Sequence, residues 1–360
     1  MHCFKSTLEA QTVLLALAGL AFSPARGNES PGSPVVIKFS HVVAPDTPKG
    51  KGAEYFRKLV EQRTQGRVKV EVYPNSQLYK DKEELEALQL GSVQMLAPSV
   101  SKFGPMGVKA FEAFDLPYLF EGYEAAHKIT HGPIGASMLK QLQQHGMIGL
   151  GFWDNGFKEF TASKALRRPE DFKGLKFRVK SSKVLEAQMR ALGAIPQVMA
   201  FSEVYQALQT GVVDGAETSP VNIVTQRWHE VQKFMSLSHH GYDAYAIVVN
   251  RKFWDSLAPD LRAALEQALD DATRYVESMS ATEEADAINA IRASGKCQVI
   301  DLTAEERSAL KRVLQPVHQQ MADRVGRELL ESIYSATRTG QKQSALILLL
   351  TGPALPAAVR

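Results

Sequence analysis

From residue 35 onward the hydrophobic pattern switches repeatedly between two periods. An apolar run at Val35–Val43 predicts a buried strand. Thr47 and Pro48 then supply a hydroxyl cap followed by proline at the first helical position. Ala53, Phe56, Leu59 and Val60 recur at helical spacing through Arg63, and Gly66 stops the helix. Val68, Val70 and Val72 alternate with Arg67, Lys69 and Glu71, as in a half-buried strand. A short helix over Lys82–Leu90, ended by Gly91, leads to an apolar strand at Val93–Pro98. This β-α-β-α-β opening predicts a mostly parallel sheet.

The middle of the chain repeats that alternation. Strands are predicted at Ile148–Trp153, Lys176–Val179, Ile195–Met199, Gly215–Thr218 and Tyr245–Asn250. Helices start at Ser182 (Leu185, Met189 and Leu192 inward), at Ser202 (Val204 and Leu208 inward), and at Pro220 through Trp228. The last third is helical. Pro259 opens a segment with Leu261, Leu265, Leu269, Ala272, Val276 and Met279 on one face, continuing to about residue 293 and spanning roughly 50 Å. Such a helix exceeds the width of one domain and is expected to bridge two. Thr303 and Glu306 form a capping-box pattern, and Pro316 predicts a kink in the helix that follows. Two sheet regions and a long closing helix predict an α/β chain with two lobes around a cleft, with ligands outside the carboxyl ends of the strands.

Composition narrows the function classes. The 360 residues suffice for two domains. The formal charge of +3 is dispersed rather than gathered into a basic stripe, which disfavours nucleic acid as a partner. Residues Thr12–Phe22 form an apolar stretch after Lys5, too short to span a bilayer and ending near small residues. This predicts a secretory leader at 1–27, cleaved after Gly27, and a mature protein that does not itself span a membrane. Cleavage removes Cys3, leaves Cys297 without an intrachain partner, and makes it a small residue in a strand. The apolar Ala345–Leu350 is also too short to span a membrane, and 341–360 reads as a tail of unassigned role.

Chemical motifs are sparse. No glycine-rich dinucleotide loop, phosphate loop or nucleophile elbow is present. His229-Glu230 lacks a second histidine at zinc-binding spacing, since Lys233 stands there. His239 and His240 are neighbours that a regular strand would point to opposite faces. Neither a metal nor a cofactor is expected, and no catalytic residue is assigned.

Several segments, in order, resemble the solute-binding subunits of tripartite ATP-independent periplasmic (TRAP) transporters of the DctP type. These are FSHVVAPDTPKGKGAEYF from Phe39, YPNSQLYKDKEELEALQLG from Tyr73, FDLPYLF from Phe114, FWDNGFKEFTASK from Phe152, RRPEDFKGLKFRV from Arg167, and MAFSEVYQALQTGVVDGAE from Met199. The resemblance covers about Val35–Arg338. It implies a two-lobed periplasmic binding-protein fold with a long helix crossing both lobes. One lobe would comprise 33–155 plus about 245–265, the other 156–244 plus about 266–338. It also implies a monomeric, non-enzymatic periplasmic protein that hands a small organic acid anion to separate membrane permease subunits. SHVVAPDTPKGKG, SQLYKDKEELEALQLG, FWDNGFK and SSKVLEAQ are most similar to members binding succinate, malate and fumarate.

The resemblance also nominates site residues. The family's carboxylate-binding arginine corresponds to Arg178, whose guanidinium offers a planar two-pronged fork. Where the family often has a second arginine, this chain has Lys158, which keeps the charge without the fork; Asn155, just before it, offers an amide donor. Thr218 stands where an asparagine is usual, while Asn222 is retained after the altered Ser219-Pro220-Val221. That departure leaves open another ligand, such as a keto or aromatic acid, and a periplasmic enzyme acting on an organic acid is a further alternative. On the opposite lobe Lys49, in the first turn of its helix, and Ser99, at a strand end, are expected to meet the far side of a bridging dianion. Phe152, Trp153 and Phe201 are read as core or pocket wall, with His239 and Tyr242 near the lobe crossing.

Overall fold

The structure, a computed structural model, describes residues 33–337. The expected leader at 1–27 and the expected tail at 341–360 lie outside these residues. β1 (Val35–Ser40), α1 (Pro48–Arg63), β2 (Val68–Tyr73), α2 (Glu84–Gln89) and β3 (Met95–Leu96) make a first wing. The Thr47 hydroxyl caps α1 by accepting the Gly50 amide at 3.1 Å. α3 (Tyr123–Thr130) and α4 (Pro133–Gln141) precede the long strand β4 (Met147–Ala162). β5 (Lys176–Val179), α5 (Lys183–Ala191), β6 (Ile195–Val198), α6 (Val204–Gln209), β7 (Gly215–Thr218) and α7 (Pro220–Thr225) make a second wing. A second long strand, β8 (Phe234–Asn250), returns through the molecule. The chain then runs through α8 (Arg251–Ser256), α9 (Pro259–Ser294), β9 (Gln298–Asp301), α10 (Ala304–Leu314), α11 (Pro316–Val325) and α12 (Arg327–Thr337).

The strands form one sheet in the order β2-β1-β3-β8-β4-β7-β5-β6, with β9 paired to β8. Each wing is internally parallel, but β3, β8, β4 and β7 pair antiparallel down the centre. The structure therefore corrects the expected pair of mostly parallel sheet regions to a single mixed sheet. The strands expected at 148–153 and 245–250 are the ends of strands 16 and 17 residues long. Their remaining portions carry Asp154, Lys158, Glu159, His240 and Asp243 as buried residues, so no apolar alternation marks them as strand. Three register shifts interrupt the β4–β8 ladder, between Gly149/Gly151, Asp154/Gly156 and Lys158/Phe160. The lobe boundary expected at 155/156 falls inside β4. β3 pairs over only Met95 and Leu96, less than the expected Val93–Pro98.

α9, 36 residues and about 54 Å long at 1.5 Å per residue, behaves as the bridging helix. Its stripe of Leu261, Leu265, Leu269, Ala272 and Val276 is buried. It contacts α1 in the first wing, α7 in the second, and β4 between them. Close approach to α1 depends on Gly52, where a Cβ would stand 2.4 Å from a Val276 methyl. The Trp153 indole donates to Thr273 on α9 at 2.9 Å. Thr303 and Glu306 close a reciprocal capping box on α10, and the helix breaks ahead of Pro316. Cys297 is buried and free just ahead of β9.

Candidate ligand-binding site

A cavity lies where the two wings meet the central strands. Its wall follows the sheet's topology. Val42 and Val43 follow β1, Ser99 follows β3, Lys180 follows β5, Phe201 follows β6, and Thr218 ends β7. The carboxyl ends of five parallel-wing strands thus converge on it. Asn155 on β4 and Asp243 and Tyr245 on β8 close the floor.

Five nominated residues line this cavity: Ser99, Asn155, Arg178, Thr218 and Asn222. Arg178 sits one residue from the end of β5 and is 1% exposed. Its Nε and Nη2 both donate to the Met199 carbonyl, at 3.1 and 3.0 Å. Among the described residues no carboxylate forms a salt bridge with it. Burial presses its pKa down, and Asp81, Glu217 and Asp243 act at longer range to raise it. Asn222 reaches back one helical turn and donates to the Thr218 hydroxyl at 3.1 Å. Asn155 donates to Asp243 at 2.9 Å and accepts from Ser219 at 3.1 Å.

Lys49 and Lys158 do not line the cavity. Lys49 is in the first turn of α1, but its ammonium donates to the Ala97 carbonyl at 2.9 Å and sits 3.5 Å from the centre of the Tyr245 ring. Burial, the largest effect, lowers its pKa to about 7. It stands behind Tyr245, one layer from the cavity. Lys158 is fully buried, with its ammonium 3.0 Å from Glu217 and 3.6 Å from Asp115. Burial alone would lower its pKa, but the two carboxylates outweigh that and raise it. Burial would likewise raise Glu217, yet Lys158, His240 and Lys180 together hold that carboxyl well below its usual range. Tyr242 bonds Asp154 and does not reach the cavity; nor does His239.

Four charged wall residues escaped the sequence reading. Lys180 pairs with Asp243 at 2.6 Å and reaches the Ser99 hydroxyl at 3.3 Å. Lys102 pairs with Glu84 at 2.8 Å and Asp81 at 3.4 Å. Lys180 had a readable signal: it lies two residues beyond Arg178, the spacing that puts side chains on one face of an extended chain. Lys102, Asp81 and Asp243 have none, since each meets the cavity only through the tertiary fold. Both wall lysines have carboxylate partners, whereas Arg178 has a single carbonyl. The wall's three cations and two carboxylates leave it one positive charge in excess.

A model of the bacterial extracellular solute-binding proteins, family 7, matches residues 39–324. The chain belongs to this family. It is 57% identical over 326 residues to the C4-dicarboxylate-binding periplasmic protein DctP of Rhodobacter capsulatus, covering 90% of this chain and 98% of that one. Two solved TRAP periplasmic solute-binding proteins share the fold. One, from Shewanella oneidensis with bound succinate, is 42% identical, with a TM-score of 0.83 over 85% of this chain and 100% of that one. The other, from Pseudomonas aeruginosa with bound L-malate, is 41% identical, with a TM-score of 0.78 over 80% and 100%. Family 7 proteins are solute-binding proteins rather than enzymes.

Proposed function

We propose that this family 7 protein captures a four-carbon dicarboxylate in the cavity and presents it to TRAP membrane permease subunits. The observation that carries the reading is Arg178. A guanidinium removed from water and given only a carbonyl is costly unless an anion completes its pairing. A ligand carboxylate does so through a two-pronged, charge-assisted contact. Thr218, Asn222, Asn155 and Ser99 stand around the same space as hydroxyl and amide partners. The names of the relatives, binders of C4-dicarboxylates, succinate and malate, support the same ligand class.

In this reading the two lobes, 33–155 with about 245–265 and 156–244 with about 266–338, close over the ligand. The interruptions in the β4–β8 ladder are where the strands flex. The 1–27 leader directs export to the periplasm, where the DctP relative is named as residing. No helix among the described residues is long and apolar enough to cross a membrane; in this reading the translocation falls to the permease subunits that family membership implies.

Thermal-shift and calorimetric titration of ligand-stripped protein tests the assignment. Succinate, malate or fumarate should raise the melting temperature, by mass action on the native state, and monocarboxylates should not. A flat response to all three, with a shift for a sugar, keto or aromatic acid, would transfer the specificity to the altered Thr218-Ser219-Pro220-Val221 segment.

A further inference from the structure

A second cluster of chemistry lies away from the cavity, where α9 crosses the two long strands. At the Lys158/Phe160 register shift, residues 237–240 of β8 stand opposite the single residue Glu159 of β4. Bulges of this kind re-aim side chains. Here the excursion leaves His239 with a φ of 47°, a left-handed conformation costly for a residue with a side chain. Its ring faces Glu159 from β4 and Glu284 from α9.

The two carboxylates are held in the same manner. Oε2 of Glu159 accepts the Ser238 amide at 2.5 Å and the His239 amide at 3.0 Å. Oε2 of Glu284 accepts the Tyr123 hydroxyl at 2.7 Å and the Phe157 amide at 3.0 Å. Gly156 makes room for it, since a Cβ there would stand 2.5 Å from that oxygen. Each carboxylate is thus fixed by one oxygen and presents the other to the imidazole. Oε1 of Glu159 lies 3.0 Å from Nδ1, and Oε1 of Glu284 lies 4.0 Å from Nε2. Glu159 is fully buried, and despite its nearness to the ring its Oε1 has no hydrogen-bond partner. Among the described residues neither glutamate is paired with a lysine or arginine.

We propose that Glu159, His239 and Glu284 form a binding site for a divalent transition-metal ion that clamps α9 to the β4–β8 ribbon. One ligand atom from each residue already falls within 4.8 Å of the others. Metal–ligand bonds of about 2.0–2.2 Å then require the ligand atoms to draw together by about 1 Å, a movement open to the half-exposed His239 ring. Two carboxylate oxygens and one imidazole nitrogen suit zinc or manganese. The backbone amides and Tyr123 are the outer partners that orient the carboxylates. His239 keeps 43% of its side-chain surface exposed, which gives the ion a path from solvent and leaves a position for water. The opposing charge is Arg307, whose Nη1 is 3.5 Å from Nδ1 of His239. This site stands apart from the proposed dicarboxylate pocket, and its test does not depend on that ligand.

Full-length protein stripped with a chelator and titrated calorimetrically with zinc chloride and with manganese chloride decides the matter. Wild type should bind one ion per chain at micromolar or tighter dissociation constant and gain melting temperature with it. His239→Ala and Glu284→Gln should each weaken binding at least about tenfold while circular dichroism stays native. Arg307→Gln should tighten it by removing the competing charge. His131→Ala, at a separate surface histidine paired with Glu277 at 2.6 Å, should change nothing. Absence of binding by wild type overturns the proposal. So does undiminished affinity in His239→Ala and Glu284→Gln, or a loss confined to His131→Ala.

Discussion

Arg178 and Lys158 are both cations buried in one sheet, and the fold treats them in opposite ways. Lys158 is enclosed by the protein's own anions, Glu217 and Asp115. Arg178 has the Met199 carbonyl and an open side toward the cavity. A buried cation whose countercharge is supplied from within belongs to the structure. One whose countercharge is withheld is poised for an anion from outside. Position in sequence does not separate the two, since the resemblance nominated both as carboxylate contacts, Lys158 as a substitute without the fork. The inventory of nearby carboxylates does.

Substitutions can break that contrast in order of size. Lys158→Met strands Glu217 and Asp115 in the interior, and removing one partner of a buried pair costs about 3–5 kcal/mol. The expected result is a large drop in the denaturation midpoint; adding Glu217→Gln should recover part of it in a double-mutant cycle. Arg178→Ala should instead leave the midpoint little changed. It should cost about 2–5 kcal/mol in dicarboxylate affinity, read by calorimetry. Equal affinity in Arg178→Ala and wild type would end the assignment of Arg178 as the central contact. Arg178→Lys sharpens the point, because it keeps the charge and removes the fork. A loss of about 1.5–3 kcal/mol, that of a charge-assisted hydrogen bond, is expected.

The smallest effect concerns pH. Lys49 has a pKa lowered to about 7, chiefly by burial, and stands behind Tyr245 on the cavity wall. Its charged form is the one that favours a bound dianion, and that form is present below about pH 7. Affinity should therefore fall as pH rises above about 7, by at most about tenfold per unit, the limit for one linked proton. Lys49→Met should flatten that profile, as measured by titration across buffers of differing ionisation enthalpy.

These cases also show what the sequence could reveal. The wings were legible because Val68, Val70 and Val72 alternate and Thr47-Pro48 caps a helix, signals carried by local geometry. The bridging helix was legible because Leu261, Leu265 and Leu269 keep one face over many turns. The inner halves of β4 and β8 were not, because their buried positions hold Asp154, Lys158, Glu159, His240 and Asp243 in place of apolar side chains. Hydrophobic periodicity detects burial only where burial is apolar, and here the buried positions are polar, with Lys158 and Asp243 held in ion pairs. The same physics hid the Lys180–Asp243 pair, which joins β8 to the end of β5 only once the sheet has formed.

The continuity of that sheet bears on how the chain comes to be folded at all. β3 and β4 each need β8 as a neighbour, and β8 begins only at Phe234. A chain emerging from its N-terminus leaves the edge of β3 unsatisfied from Leu96 until Phe234, joined by the edge of β4 after Ala162, and such edges invite pairing with other molecules. The two wings, though separate in outline, cannot mature one after the other as beads on a string. Completion waits on a late segment that stitches both at once, which makes assembly slow, cooperative and dependent on protection of the nascent chain.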